Sequence, residues 1–178
     1  MRRTRRILLL ILLIVCPSLA HTQTADNVVT GSINELRNKR RVFLIVSHNS
    51  VVDAKEEAKS ILAEVYQSGS EPPRGQFARI YNAIADKLNK YMAESQSISS
   101  VRNIGDADFI ILFNLLEYRW PLGRPYPYGE MFVILNDHSH GREPHVVWRT
   151  RKRSEWAEDA IKEFIRDLKA TRGEIQDY

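Results

Sequence analysis

The sequence predicts an α/β (α+β) domain, with a mixed, largely antiparallel sheet of four to five strands and three helices packed on it, in the order β-α-α-(β)-β-β-β-α. Three observations carry this. Short apolar, β-branched runs stand between turn signals, as strands do. Long stretches with apolar residues at helical spacing separate the first such run from the rest. The later runs follow one another through short connections, which favours antiparallel pairing, while the first, cut off by helices, can join in parallel.

The chain opens with a segment unlike the remainder. Arg2, Arg3, Arg5 and Arg6 form a basic head, residues 7–15 are unbroken apolar, and Pro17, Ser18, Leu19 and Ala20 close the segment. Nine apolar residues fall short of the about 20 needed to cross a bilayer. The pattern predicts a signal peptide over residues 1–20, cut after Ala20, and hence a periplasmic or secreted location. Arg5 and Arg6 partly match a twin-arginine signal. Val15 before Cys16 departs from the small residue that a lipoprotein box requires, so the membrane enters only if Cys16 is lipidated. Residues 21–39 read as a polar leader, 40–173 as a single α/β domain and 174–178 as a tail.

The full chain carries 26 Lys+Arg against 22 Asp+Glu. Four of those arginines belong to the leader, which holds no acid, so the rest of the chain balances at 22 against 22. The overall basic field that non-specific nucleic-acid binding requires is therefore absent from the body of the protein. Cys16 is the sole cysteine, so the domain must fold without disulfides, and its length suffices for a core without them.

Residues 41–47 (RVFLIVS) read as a buried strand. Ser50 and Asp53 offer helix caps ahead of Ala54, Ala58, Ile61, Leu62 and Val65, which recur at helical spacing. Pro72 and Pro73 break the chain. Phe77, Ile80, Tyr81, Ile84, Leu88 and Tyr91 then make one stripe of a second helix. Residues 97–103 are a weak strand candidate, and Gly105 and Asp106 a turn. Residues 108–118 (DFIILFNLLEY) give the strongest strand signal, apolar on both faces at first and alternating later, as a central strand does. A Pro/Gly loop over 120–129 follows. Residues 130–136 and 145–150 form a hairpin around 137–144. Ser154 opens the last helix, with Glu155, Glu158 and Asp159 in its first turn. Trp156, Ala160, Phe164, Ile165 and Leu168 give its buried face, and Lys169, Arg172 and Gly173 its end.

Several constellations bear on function. Ser47, His48, Asn49, Ser50 and Asp53 follow a strand, where α/β ligand sites gather, and His48 with Asp53 is a candidate acid-base pair. With no Gly-x-Ser-x-Gly elbow, capping of the next helix is the simpler role. His138, His140 and His145 are a candidate zinc group, set in an ordinary polar turn. Arg149, Arg151 and Arg153 alternate along a strand and would grip a polyanion, or else protect a sheet edge. The run Arg37, Lys39, Arg40, Arg41 reads as a solvated approach to the first strand.

Richest in contact-forming residues is the stretch 120–129 (WPLGRPYPYG). Trp, Tyr and Arg dominate binding hot spots, and prolines reduce the entropy lost on ordering a loop. Trp120, Arg124, Tyr126 and Tyr128 are therefore the expected partner-binding residues. No catalytic residue, metal or cofactor is expected.

Gly105-Asp106-Ala107-Asp108-Phe109-Ile110-Ile111, leading into the central strand, resembles the small exported α/β domains of bacterial envelope-assembly proteins. These include the N-terminal domain of the Tol-Pal β-propeller protein and lipoprotein-like families of unknown function. The resemblance spans residues 40–170 and implies a non-catalytic scaffold that contacts another envelope protein. The expectation is an exported non-enzymatic binding or adaptor domain. A small periplasmic or secreted hydrolase or metal-dependent enzyme is one alternative, and a polyanion-binding module another.

Overall fold

The computed structural model describes residues 29–48, 63, 76–136, 143–152 and 154–174. The predicted signal segment, the predicted helix over 54–65 (residue 63 apart), the hairpin turn over 137–142 and the last four residues lie outside the described set. So do Asp53, His138, His140 and Arg153.

Among the described residues the architecture is α+β with a mixed sheet of six strands. In chain order the strands are β1 (Arg41–Ser47), β2 (Ser99–Ser100), β3 (Phe109–Arg119), β4 (Tyr126–Leu135), β5 (His145–Arg149) and β6 (Glu155–Trp156). Helix α1 (Gln76–Ser95) lies between β1 and β2, and α2 (Ala157–Arg172) follows β6. The spatial order is β2-β1-β3-β4-β5, with β6 also on β4. β1 runs parallel to β2 and to β3, while β4 is antiparallel to β3, β5 and β6. Two of the three expected helices are thus described, and the third is the one expected outside the described residues.

The strand count of four to five is corrected to six, because two pairings of two residues each escape any periodicity. β6 is one of them: Tyr128 pairs with Trp156 and Gly129 with Glu155. The last helix therefore starts at Ala157 rather than at Ser154, with the extended Trp156 as its N-cap. The strand carrying Arg149 likewise ends there, and Arg151 lies in the bend that leads to β6. A further correction concerns the loop over 120–129, which is shorter than expected. Tyr126 already pairs with Arg119, and a bulge between Leu115 and Glu117 keeps the two strands in step.

Both helices rest on one face of the sheet. Ile80, Ile84, Leu88 and Tyr91 of α1 join Ala160, Ile161, Phe164 and Leu168 of α2 over Val42, Leu44, Phe109, Ile111, Phe113, Met131 and Val133. The intervening residues Phe43, Ile45, Ile110, Leu112, Phe132 and Ile134 are buried in a second cluster on the other face. Burial on both faces is what the continuous apolar runs of β1 and β3 require. α2 ends in a Schellman-type turn: Gly173 takes φ 70, a left-handed backbone that glycine adopts without a Cβ penalty, and Glu174 N donates to Lys169 O at 2.9 Å. Leu36, in a short 3-10 helix (Ile33–Leu36), is fully buried in the first cluster, so part of the polar segment ahead of β1 is structured. Its Ser32 and Glu35 form a reciprocal capping box. No helix among the described residues is long and apolar enough to cross a membrane.

Candidate binding cleft

β3 runs beyond the helix-covered core and ends at Tyr118 and Arg119, and the chain turns through Pro121–Gly123 into β4. β6 and the first turn of α2 come up alongside β4, and the first turns of α1 face them. Among the described residues these elements enclose a cleft of about 390 Å³. Tyr118, Trp120, Tyr126 and Trp156 supply aromatic rings, Pro125 and Pro127 add apolar walls, and Arg79 and Glu158 bring one charge of each sign.

The rings are held in defined positions. Tyr126 meets Trp156 edge-on, with centroids 5.5 Å apart and planes at 76°, a favourable aromatic geometry. The Lys162 ammonium lies 5.6 Å from the centre of the Trp156 ring. Trp120 is the large hydrophobic residue left exposed among the described residues, at 65%. The Tyr118 hydroxyl is shut off from solvent and has no hydrogen-bond partner among the described residues. Burial raises the phenol above its ordinary range, against the opposing pull of the Arg79 charge, so it stays protonated and able to donate. The cleft can hold a flat or apolar group between rings while offering it a guanidinium and a carboxylate.

Of the four expected contact residues, Trp120 and Tyr126 line this cleft, whereas Arg124 and Tyr128 are not among its lining residues. Arg124 is exposed. The Tyr128 ring lies 4.3 Å under the Arg119 guanidinium. That guanidinium is itself held by Glu117, which also accepts from Ser154 Oγ at 3.0 Å. Hydrogen bonds from Arg119 and then Ser154 keep the Glu117 carboxyl below its ordinary range. Sequence reasoning missed Tyr118, Trp156 and Arg79. Tyr118 closes a strand pattern and Trp156 fits a helix stripe, so both read as core. Arg79 comes to the cleft only through the tertiary fold.

The other candidates disperse. His48 is exposed at the end of β1, its ring 6.3 Å from that of Phe77, while Asp53 lies outside the described residues. His145 Nε2 is 3.1 Å from Glu35 Oε2 and its Nδ1 is 3.3 Å from Glu143 O. Among the described residues no group of three His, Cys, Asp or Glu side chains could hold a metal. The arginine series is also broken up: Arg149 pairs with Glu130 at 2.7 Å and Arg151 with Glu163 at 3.1 Å. Their charge is matched by carboxylates of this chain rather than presented as one stripe.

No protein-family model matches the chain, and no curated protein does. Similar solved structures include a PelC dodecamer from Paraburkholderia phytofirmans, 17% identical, covering 76% of this chain and 87% of that one at a TM-score of 0.33. A second crystal form of the PelC dodecamer from that organism is 20% identical and covers 77% of this chain and 85% of its own at a TM-score of 0.24. The chain is also similar to the hypothetical protein CT253 from Chlamydia trachomatis, at 12% identity, with 74% and 94% of the two chains covered and a TM-score of 0.35.

Proposed function

We propose that this chain is an exported, non-enzymatic binding domain of the bacterial envelope that captures a partner protein in the cleft between Trp120, Tyr126 and Trp156. The observation that carries the reading is an exposed indole, Trp120, at the mouth of a cleft lined by the further rings of Tyr118, Tyr126 and Trp156. An exposed tryptophan gives up little to solvent and gains much when covered. An extended peptide with an apolar or proline side chain supplies that cover, its side chain between the rings. The arginine-headed apolar leader and the Gly105–Ile111 resemblance support an envelope address.

The test is affinity capture from the envelope fraction of the native cell, with the full chain and with Trp120→Ala and Tyr126→Ala. A partner identified with the unsubstituted protein should be lost with either variant while both stay folded. Retention of that partner by both variants would remove the cleft from the interface. Intact mass of the cell-derived protein tests the address, since it should correspond to a chain beginning at His21.

A further inference from the structure

A second, differently built cleft lies at the far end of α2. The cleft above touches Glu158 in the first turn of that helix, and this one touches Arg172 in its last. The two are separated by about 21 Å of helix rise. Its volume is about 400 Å³, and its lining among the described residues is Arg37, Asn38, Arg40, Ser97, Arg172 and Glu174. We propose that it is an oxyanion site that takes a phosphate group.

Charge is the first argument. Three guanidiniums, two from the segment between the 3-10 helix and β1 and one from the end of α2, meet one carboxylate. Arg41, Arg119, Arg149, Arg151 and Arg166 each form an ion pair with an acid of this chain. Arg37, Arg40 and Arg172 form none with any described residue, and Arg37 and Arg40 are exposed. The carboxylate present, Glu174, is held by hydroxyls: Tyr91 Oη donates to it at 2.8 Å, and Ser97 Oγ lies 3.3 Å from it. A planar guanidinium fork matches the oxygens of phosphate, and an excess of two positive charges suits a doubly charged anion better than a carboxylate.

Positioning is the second. Arg172 is fixed by neutral acceptors: Nη1 donates to Ser97 Oγ at 2.8 Å, and Nη2 donates to Leu36 O at 3.1 Å and to Lys39 O. These bonds hold its geometry and leave its charge unmatched. Its Nε is out of contact with solvent and finds no acceptor among the described residues, so an anion in the cleft would meet the Arg172 charge and its Nη edge. Ser97 is delivered by Gln96, which takes a left-handed backbone at φ 50 where α1 ends. A non-glycine residue in that region is uncommon and is found where the surroundings impose it.

The probe is inorganic phosphate, titrated calorimetrically into the phosphate-free full chain at low ionic strength, with acetate as control. In parallel, vesicles containing phosphatidylglycerol offer the same group as a lipid headgroup. The test variant is Arg37→Gln/Arg40→Gln, whose exposed side chains hold no ion pair with any described residue, so its melting temperature should match that of the unsubstituted protein. Saturable one-site binding of either probe, weakened at least about tenfold in the double variant, supports the site. The probe that binds identifies the source of the phosphate. Failure of both probes to bind, or binding unchanged in the double variant, overturns the proposal. Neither result bears on the aromatic cleft, because its variants are separate.

Discussion

Asp108 grips Arg41 through both backbone and side chain: Oδ2 accepts the Arg41 amide at 2.9 Å, and Oδ1 accepts Nε at 3.1 Å and Nη2 at 2.8 Å. The same Oδ2 takes the Arg40 amide at 2.8 Å. One carboxylate therefore ties the start of β1 to the start of β3, and from that clamp the parallel register runs from Val42 against Phe109 to Ser47 against Asn114. Asp108→Asn keeps the shape but turns an NH2 toward at least one donor. The expected loss is about 2–3 kcal/mol, read as a lower urea midpoint at an unchanged slope. A change within experimental error would show that the apolar pairing sets the register by itself.

The same clamp predicts how stability depends on pH. Burial of Asp108 works against its charged form, but the hydrogen bonds from the Arg41 side chain and from the Arg41 and Arg40 amides, with the Arg41 charge, outweigh it and hold the carboxyl below its ordinary range. A carboxyl whose folded value lies below its unfolded one contributes fully above the unfolded value and loses that contribution as pH falls toward the folded value. The stability difference between the unsubstituted protein and Asp108→Asn should thus be constant from neutrality to about pH 5 and shrink below about pH 4. A difference that is flat down to strong acid would mean that the carboxyl is not shifted by folding.

Much of this frame can be read from residue pattern, because β1, β3 and the two described helices each contain enough periodic apolar residues to declare a face. β6 and the first residues of β4 cannot. Trp156 is extended only because Tyr128 lies opposite, and Pro127 reads as a breaker although it sits in a ladder against Tyr118. The cleft is half legible for the same reason. Trp120 and Tyr126 stand out in a loop-like stretch, but Tyr118 and Trp156 are disguised by the periodicity of the elements they end or begin. Arg37 and Arg40 stand out as a basic run, whereas Arg172 looks like an ordinary helix terminus until the fold sets it beside them.

Gly129 is where β3 and β4 approach most tightly. A Cβ there would lie 2.1 Å from Asn114 O and 2.8 Å from the tip of the Phe113 ring. The carbonyl belongs to a strand and cannot rotate away, so Gly129→Ala should cost about 3 kcal/mol through displaced strands. Gly123, with φ 73 and open space around it, is the comparison: Gly123→Ala should cost only about 1 kcal/mol, from the backbone alone. Equal losses in thermal unfolding would contradict this account.

Two tryptophans separate binding from stability. Trp148 is 7% exposed, donates to Asp167 Oδ2 at 3.0 Å and meets the Phe164 ring at 5.3 Å. Trp148→Ala should cost about 3–5 kcal/mol. Trp120→Ala, on an exposed ring, should leave the unfolding midpoint within about 0.5 kcal/mol of the original and abolish partner capture. A strongly destabilised Trp120→Ala would mean that the indole supports the loop rather than meeting a partner.

The Glu130 side chain is 4% exposed and that of its partner Arg149 is 14% exposed, with 2.7 Å between them. Removing charge from one side of such a pair leaves the other dehydrated and uncompensated. Arg149→Met should therefore destabilise by about 3 kcal/mol. In Arg149→Met/Glu130→Gln the stranded charge is gone, and much of the loss should be recovered, because a buried pair gains little net stability over neutral groups that fill the same space. A double-mutant cycle on urea unfolding measures the coupling. Additive losses would place the pair's energy in packing of the arginine stem against β5, and the carboxylate would then owe its burial to its other contacts.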